Sequence, residues 1–323
     1  MLGRMLKLTL DGMEVGTTPM LVPSISSRIN LPIPNLIKTV EGVVNGPFLI
    51  SSFDYYHYGK PKVNFPELLF LDSGGYECSS EHAVTDIGFA NLNPLDWNES
   101  LHKSVIDEWE YTVPTVMVSF DHPLIRESTH DQIERALKLF DRDEKFLKEL
   151  LLKPETKSSF RVHYDEIARN IDSYSQFDII GFTEKELGGS ILEKLITISR
   201  VRKLLDESGL EIPIHVFGGL DVVTTPLYFM AGADIFDGLS WLRFLFNAGD
   251  TLYVESFGPK RFGIEVNERE VWIKSVDVNY TEFLKLKLDL VKFSKTEDYD
   301  IFDTNASFFR KSVELLESRI GDS

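Results

Sequence analysis

The chain has 323 residues, 43% of them hydrophobic and 26% charged, an ordinary globular composition that excludes a disordered chain, a coiled coil and collagen. Its 34 basic and 51 acidic residues leave a net charge of −17, so nucleic acid cannot be gripped through the overall field. Any such contact must come from a local patch and be strongly salt-dependent.

Residues 1–12 interrupt their apolar positions with Arg4, Lys7 and Asp11 and so lack a clean signal-peptide core. No uncharged apolar run approaches the roughly 18–20 residues of a membrane helix, and a cytoplasmic protein without membrane association is expected. The single cysteine, Cys78, rules out an intrachain disulfide and a thiolate-rich zinc site. It reads as an inert thiol.

Short apolar, β-rich runs then recur along the chain at 20–23, 48–51, 68–71, 115–119, 160–163, 177–182, 213–217 and 234–237. Runs that are apolar throughout suit strands buried on both faces of a parallel sheet. Helices are expected between them at 34–41, 99–111, 129–152, 164–174, 189–208 and 224–231. Within 189–208, Ile191, Leu195, Ile198, Val201, Leu204 and Leu205 share one helical face. Alternating β and α elements give an α/β fold, and eight strands favour a closed (β/α)8 TIM-type barrel over an open sheet. Further strand-like runs at 252–257, 261–265 and 270–276 and helices at 281–294 and 305–320 complete the chain. The expectation is one domain over 1–323. Its barrel core covers about 17–244, and 245–323 is an elaborated C-terminal region without a zinc subdomain.

In such barrels the chemistry sits in the loops after the strands. Three aspartates fall there: Asp72 in LLFLDSGGYE, Asp121 in VMVSFDHP and Asp237 in ADIFDGLSWLRF. Gly218 and Gly219 in IHVFGGLD follow the seventh run, where barrels often cradle phosphate. One aspartate after a strand is commonly just a turn or capping residue. Three converging on one rim point to proton transfer or to a glycosidic nucleophile and acid–base pair. The same acids could instead hold a hard cation such as magnesium for phosphoryl chemistry.

At these residues the sequence resembles the guanine transglycosylase superfamily. DSGGYE (72–77) is similar to the family's DSGGFQ, VSFDHP to its fourth strand and TTPMLVPSIS to its first. HVFGGLDVVTTPLYFMAGADIFD matches the pattern leading to its nucleophile. The resemblance covers roughly 17–244. It implies that Asp237 is the nucleophile attacking the anomeric carbon and Asp72 the acid–base residue. Asp121 would accept hydrogen bonds from the guanine edge, with Ser73 and Tyr76 beside the base and Tyr76 stacking on it. His163 would align with a base-contacting glutamine, and Gly181 would lie in the loop binding the base carbonyl. Arg243 would match the first of two arginines with which the tRNA enzymes read anticodon-loop bases, while Phe246 stands at the second.

No cysteines follow Asp237, so the zinc site of the tRNA enzymes is not expected. The GLSWLRF segment is more like the DNA-acting branch. The implied function is exchange of guanine in DNA for a 7-deazaguanine such as 7-cyano-7-deazaguanine, through a covalent Asp-glycosyl intermediate and without redox cofactor, ATP or metal. The partners implied are DNA, free guanine and the 7-deazaguanine base, with a duplex-opening protein as a further candidate. Phosphate contacts would come from Gly218, Gly219 and Arg243, and from lysine and arginine clusters at 145–161 or 200–203. The alternatives are a tRNA-guanine transglycosylase lacking zinc and a non-catalytic barrel that serves as a partner subunit.

Overall fold

The computed structural model describes residues 2–29, 31–79, 95–122, 124–141 and 145–321. Pro123, the last residue of the SFDHP motif, lies outside them. A two-stranded element, β1 (Lys7–Leu10) and β2 (Met13–Thr17), precedes the main sheet. That sheet is made of β3 (Met20–Pro23), β4 (Phe48–Ser51), β5 (Leu69–Asp72), β6 (Thr115–Val118), β7 (Leu147–Leu152), β8 (Ile179–Thr183), β9 (Ile214–Phe217) and β10 (Ile235–Gly238). Its strand order is β3-β10-β9-β8-β7-β6-β5-β4. Pairing is parallel in β3-β10, β10-β9, β4-β5, β5-β6 and β6-β7. The residue following β3, Ser24, forms a parallel bridge with Leu49 of β4. This is the α/β, TIM-type topology expected from alternating β and α elements.

The chain divides into two compact units. One comprises Met1–Lys7, Thr17–Pro23 and Phe182–Ser323, and the other Leu8–Gly16 and Ser24–Gly181. In each, strands of the main sheet such as β3, β4, β6, β9 and β10 are buried along their whole length, as strands of a parallel sheet are. Side chains stop the strands and start the helices. Ser51 ends β4 and caps the helix Ser52–His57 by accepting the Asp54 N–H. Ser128 and Ser190 cap Thr129–Phe140 and Ile191–Glu207 in the same way.

Two expected elements are corrected. The helix expected over 129–152 ends at Phe140, where Asp141 takes φ 45°, and Leu147–Leu152 is a strand. Lys148 and Glu149 imitate the polar face of a helix, yet Glu149 is fully buried. The run 160–163 is not a strand. Phe160 is 83% exposed, and His163 precedes the helix Tyr164–Arg169. The strand count of eight therefore stands with different members.

After β10, the helix Ser240–Arg243 leads into the antiparallel pair β11 (Phe244–Asn247) and β12 (Asp250–Tyr253). The helices Val254–Phe262, Glu268–Thr296 and Ala306–Gly321 follow. Of the runs expected as strands, 252–257 is strand only to Tyr253 and helix from Val254, and 261–265 and 270–276 lie in helix or turn. Asn279, buried within the long helix, donates to the carbonyls of Trp241 and Phe244 and accepts from the Phe246 N–H, all at 2.7 Å. This clamp fixes the GLSWLRF segment. No helix among the described residues is long and apolar enough to cross a membrane.

Candidate active site

In the unit that contains residues 24–181, Asp72 is the last residue of β5 and pairs in register with Ser51 of β4. The loop that follows turns back at Gly74, whose φ of +88° favours glycine. The Trp97 indole N–H holds it by donating to the Ser73 carbonyl at 2.7 Å. The next glycine, Gly75, is needed for space. A Cβ there would stand 2.4 Å from Asp121 Oδ1 and 2.5 Å from Oδ2. Asp121 follows β6 and is buried. Its carboxylate accepts a hydrogen bond from the Ser73 hydroxyl and lies 3.7 Å from Lys153 Nζ, with the two side chains 11% and 13% exposed. Lys153 is the residue immediately after β7. Asp121 and Lys153 line a narrow polar cleft together with His122, Arg126 and Arg135.

Tyr76 has one ring face under the Arg28 guanidinium, 4.4 Å from the ring centroid, and Arg28 Nη1 donates to the Tyr76 carbonyl at 2.8 Å. Behind the loop, two buried acids sit on successive residues. The Ser26 hydroxyl donates to Glu77 at 2.6 Å and the Ser27 N–H to Asp54 at 2.8 Å. Burial pushes the Asp54 carboxyl up to about 7, with Asp72 adding to the effect, and pushes Glu77 up to about 8, with Asp54 adding to it. Desolvation outweighs the hydrogen bonds because each carboxylate loses nearly all of its water. Cys78 is likewise pushed up to about 12 by burial, which makes it a poor nucleophile.

His163 is exposed, with Nε2 2.8 Å from the Ser159 hydroxyl. Gly181 lies inside β8 rather than in a loop. The structure thus brings Ser73, Gly75, Asp121 and Lys153 together, and places His163 in a separate hydrogen-bonded turn.

In the unit that contains residues 182–323, Asp237 is the third residue of β10 and is buried. Its Oδ1 accepts the Gly218 N–H at 2.9 Å and lies 3.5 Å from Nε2 of the fully buried His215. Gly218, at φ +77°, aims its N–H at this carboxylate. Gly219 packs against Val216, where a Cβ would meet the side chain at 2.8 Å. His215 stacks on Phe217 at 3.9 Å. His215 and Phe217 alternate along β9 and so share one face. Arg243, half-buried, ends the helix just beyond Asp237.

Sequence reasoning missed Asp54 and His215. It offers Lys153 as one of a cluster of phosphate contacts, because the helix expected over 129–152 hides the strand end that sets it beside Asp121. His215 carried a signal, as a polar residue set within the apolar strand IHVF. Among the described residues, no group of three or more His, Cys, Asp or Glu side chains is arranged to hold a metal ion. No family model matches the chain, and no curated protein matches it.

Proposed function

We propose that the chain is a base-exchange transglycosylase that replaces guanine in a nucleic acid, DNA in preference to tRNA, with a 7-deazaguanine. The observation that carries this reading is the Asp121–Lys153 pair. Guanine's pyrimidine edge offers two adjacent donors, N1–H and the 2-amino group, and one acceptor, O6. A buried carboxylate accepts from the first two, and an ammonium group 3.7 Å away donates to the third. The Ser73 hydroxyl and the bare face of Gly75 hold the carboxylate in one orientation. A 7-deazaguanine carries the same edge, so one cleft accepts the leaving and entering bases in turn.

Asp237 supplies the nucleophile. Its carboxylate attacks the anomeric carbon, and the bond from that carbon to the base nitrogen breaks with its electron pair leaving on guanine. Asp72 gives the departing base a proton. A glycosyl ester on Asp237 remains. Asp72 then takes the ring N–H proton of the entering base, whose nitrogen attacks the anomeric carbon and frees Asp237. The Gly218 N–H and His215 orient the attacking carboxylate. A base paired in a duplex must first leave the stack.

The test is incubation of the protein with labelled guanine and either DNA or tRNA. Label entering DNA supports the proposal. Label entering tRNA alone assigns the chain to the tRNA-acting alternative. Absence of label from both, with guanine bound, leaves a non-catalytic barrel.

A further inference from the structure

We infer that the loop between β7 and the helix Tyr164–Arg169 is a stacking platform for an unpaired nucleotide flanking the exchanged base. This inference rests on the nucleic-acid substrate proposed above. The loop starts at Lys153, beside Asp121, and reaches Phe160 seven residues later, a span of at most about 25 Å for an extended chain. Phe160 is 83% exposed. Its neighbours hold it out by hydrogen bonds of their own. The Ser159 N–H donates to the Thr156 carbonyl at 3.1 Å, and the Ser159 hydroxyl donates to the Arg161 carbonyl at 2.7 Å while meeting His163 Nε2 at 2.8 Å. A formed turn therefore presents an apolar ring to water.

Charge selects the occupant. The protein carries −17 overall, yet residues 153–163 hold Lys153, Lys157 and Arg161 against the single acid Glu155. Glu155 is turned away onto the backbone N–H and hydroxyl of Thr129, at 2.8 and 3.1 Å. Lys157, three residues before Phe160, and Arg161, directly after it, are both exposed. An exposed aromatic ring with cations near it along the loop suits a base and its neighbouring phosphates, and stacking of this kind is tolerant of sequence because every base has a π-face. The platform grips the strand next to the reacting nucleotide and leaves the reading of guanine to the Asp121 cleft.

The experiment uses the full chain and a short single-stranded DNA or RNA bearing 2-aminopurine, read by anisotropy and by quenching of the 2-aminopurine emission. Phe160→Ala is expected to weaken binding by roughly 10-fold or more and to relieve the quenching, while Phe160→Trp retains both. Lys157→Gln combined with Arg161→Gln is expected to lower the slope of log affinity against log salt by about 1.4, two phosphates' worth for a single strand. Oligonucleotide binding that is the same with and without the Phe160 ring overturns the platform while leaving base exchange standing. A wild-type protein that takes up free guanine but binds no oligonucleotide overturns the platform and the nucleic-acid substrate together.

Discussion

Gly75 and Asp121 are in van der Waals contact with no gap: any Cβ at residue 75 would overlap both carboxylate oxygens of Asp121, at 2.4 and 2.5 Å. Gly75→Ala must therefore push the carboxylate away from the Ser73 hydroxyl or shift the loop. Forced packing of this kind costs about 1–3 kcal/mol. The expected result is at least a tenfold loss of guanine affinity by calorimetry in a protein that still unfolds cooperatively. Unchanged affinity would show that the orientation of Asp121 does not matter for the base.

Lys153→Met keeps the length of the side chain and removes its charge. Guanine offers O6 to Lys153 and N1–H to Asp121, and 2-aminopurine lacks both, so the wild-type protein should favour guanine and the variant should favour it by a smaller margin, narrowed by the Lys153 hydrogen bond. A hydrogen bond from a charged donor contributes about 1.5–3 kcal/mol, which corresponds to a discrimination of about 10- to 100-fold. Competition binding of the two bases measures it. A variant that still prefers guanine by the wild-type margin removes Lys153 from base recognition.

Asp54 and Glu77 predict a pH effect on stability whose sign is opposite to that of a salt-bridged acid. Both fold with raised carboxyls, at about 7 and about 8, whereas the unfolded chain releases these protons near pH 4. Between roughly pH 4 and 8 the native state holds more protons than the unfolded state, so these two groups make stability fall as pH rises. The loss is complete once pH passes about 8. The double variant Asp54→Asn, Glu77→Gln stays neutral throughout. Relative to wild type it should gain on the order of 6 kcal/mol between pH 5 and pH 8, as measured by urea unfolding at several pH values. A constant difference between the two proteins across that range would refute the buried-proton account.

Arg202 and Asp234 form a fully buried ion pair. Arg202 also donates to the carbonyls of Gly232 at 2.9 Å and Ile212 at 3.0 Å, and Asp234 accepts the Ile214 N–H at 2.8 Å. This network ties the helix Ile191–Glu207 to the start of β9 and the approach to β10. Arg202→Met leaves Asp234 buried without its cation and should destabilise by about 3–5 kcal/mol, the usual consequence of breaking such a pair from one side. Denaturant unfolding is the measurement, and a loss below about 1 kcal/mol contradicts it.

What could be read from the sequence followed from residue patterning. Mostly apolar runs such as FLIS and IHVF mark buried strands, and the apolar period over 189–208 marks a helix. The acids ending those strands, Asp72 and Asp237, were found because strand ends can be located from such runs, and Asp121 because it follows another. Lys148 and Glu149 break the apolar run of β7, so the strand is not legible in the sequence, nor is the position of Lys153 at its end, beside Asp121. His163 was assigned to a strand end that does not exist. Asp54 stands in the first turn of the helix Ser52–His57, where an acid is ordinary. Its significance comes from burial against Ser27 and proximity to Glu77, contacts made by parts of the chain that are distant in sequence.

The central claim is that Asp237 carries the sugar between two bases. Mass spectrometry of protein quenched by denaturation during incubation with a guanine-containing oligonucleotide, without free replacement base, tests it most directly. A glycosyl adduct is expected on the peptide containing Asp237, lost in Asp237→Ala and discharged when free guanine is added. Label exchange that persists at the wild-type rate in Asp237→Ala, with no adduct on that peptide, would contradict it.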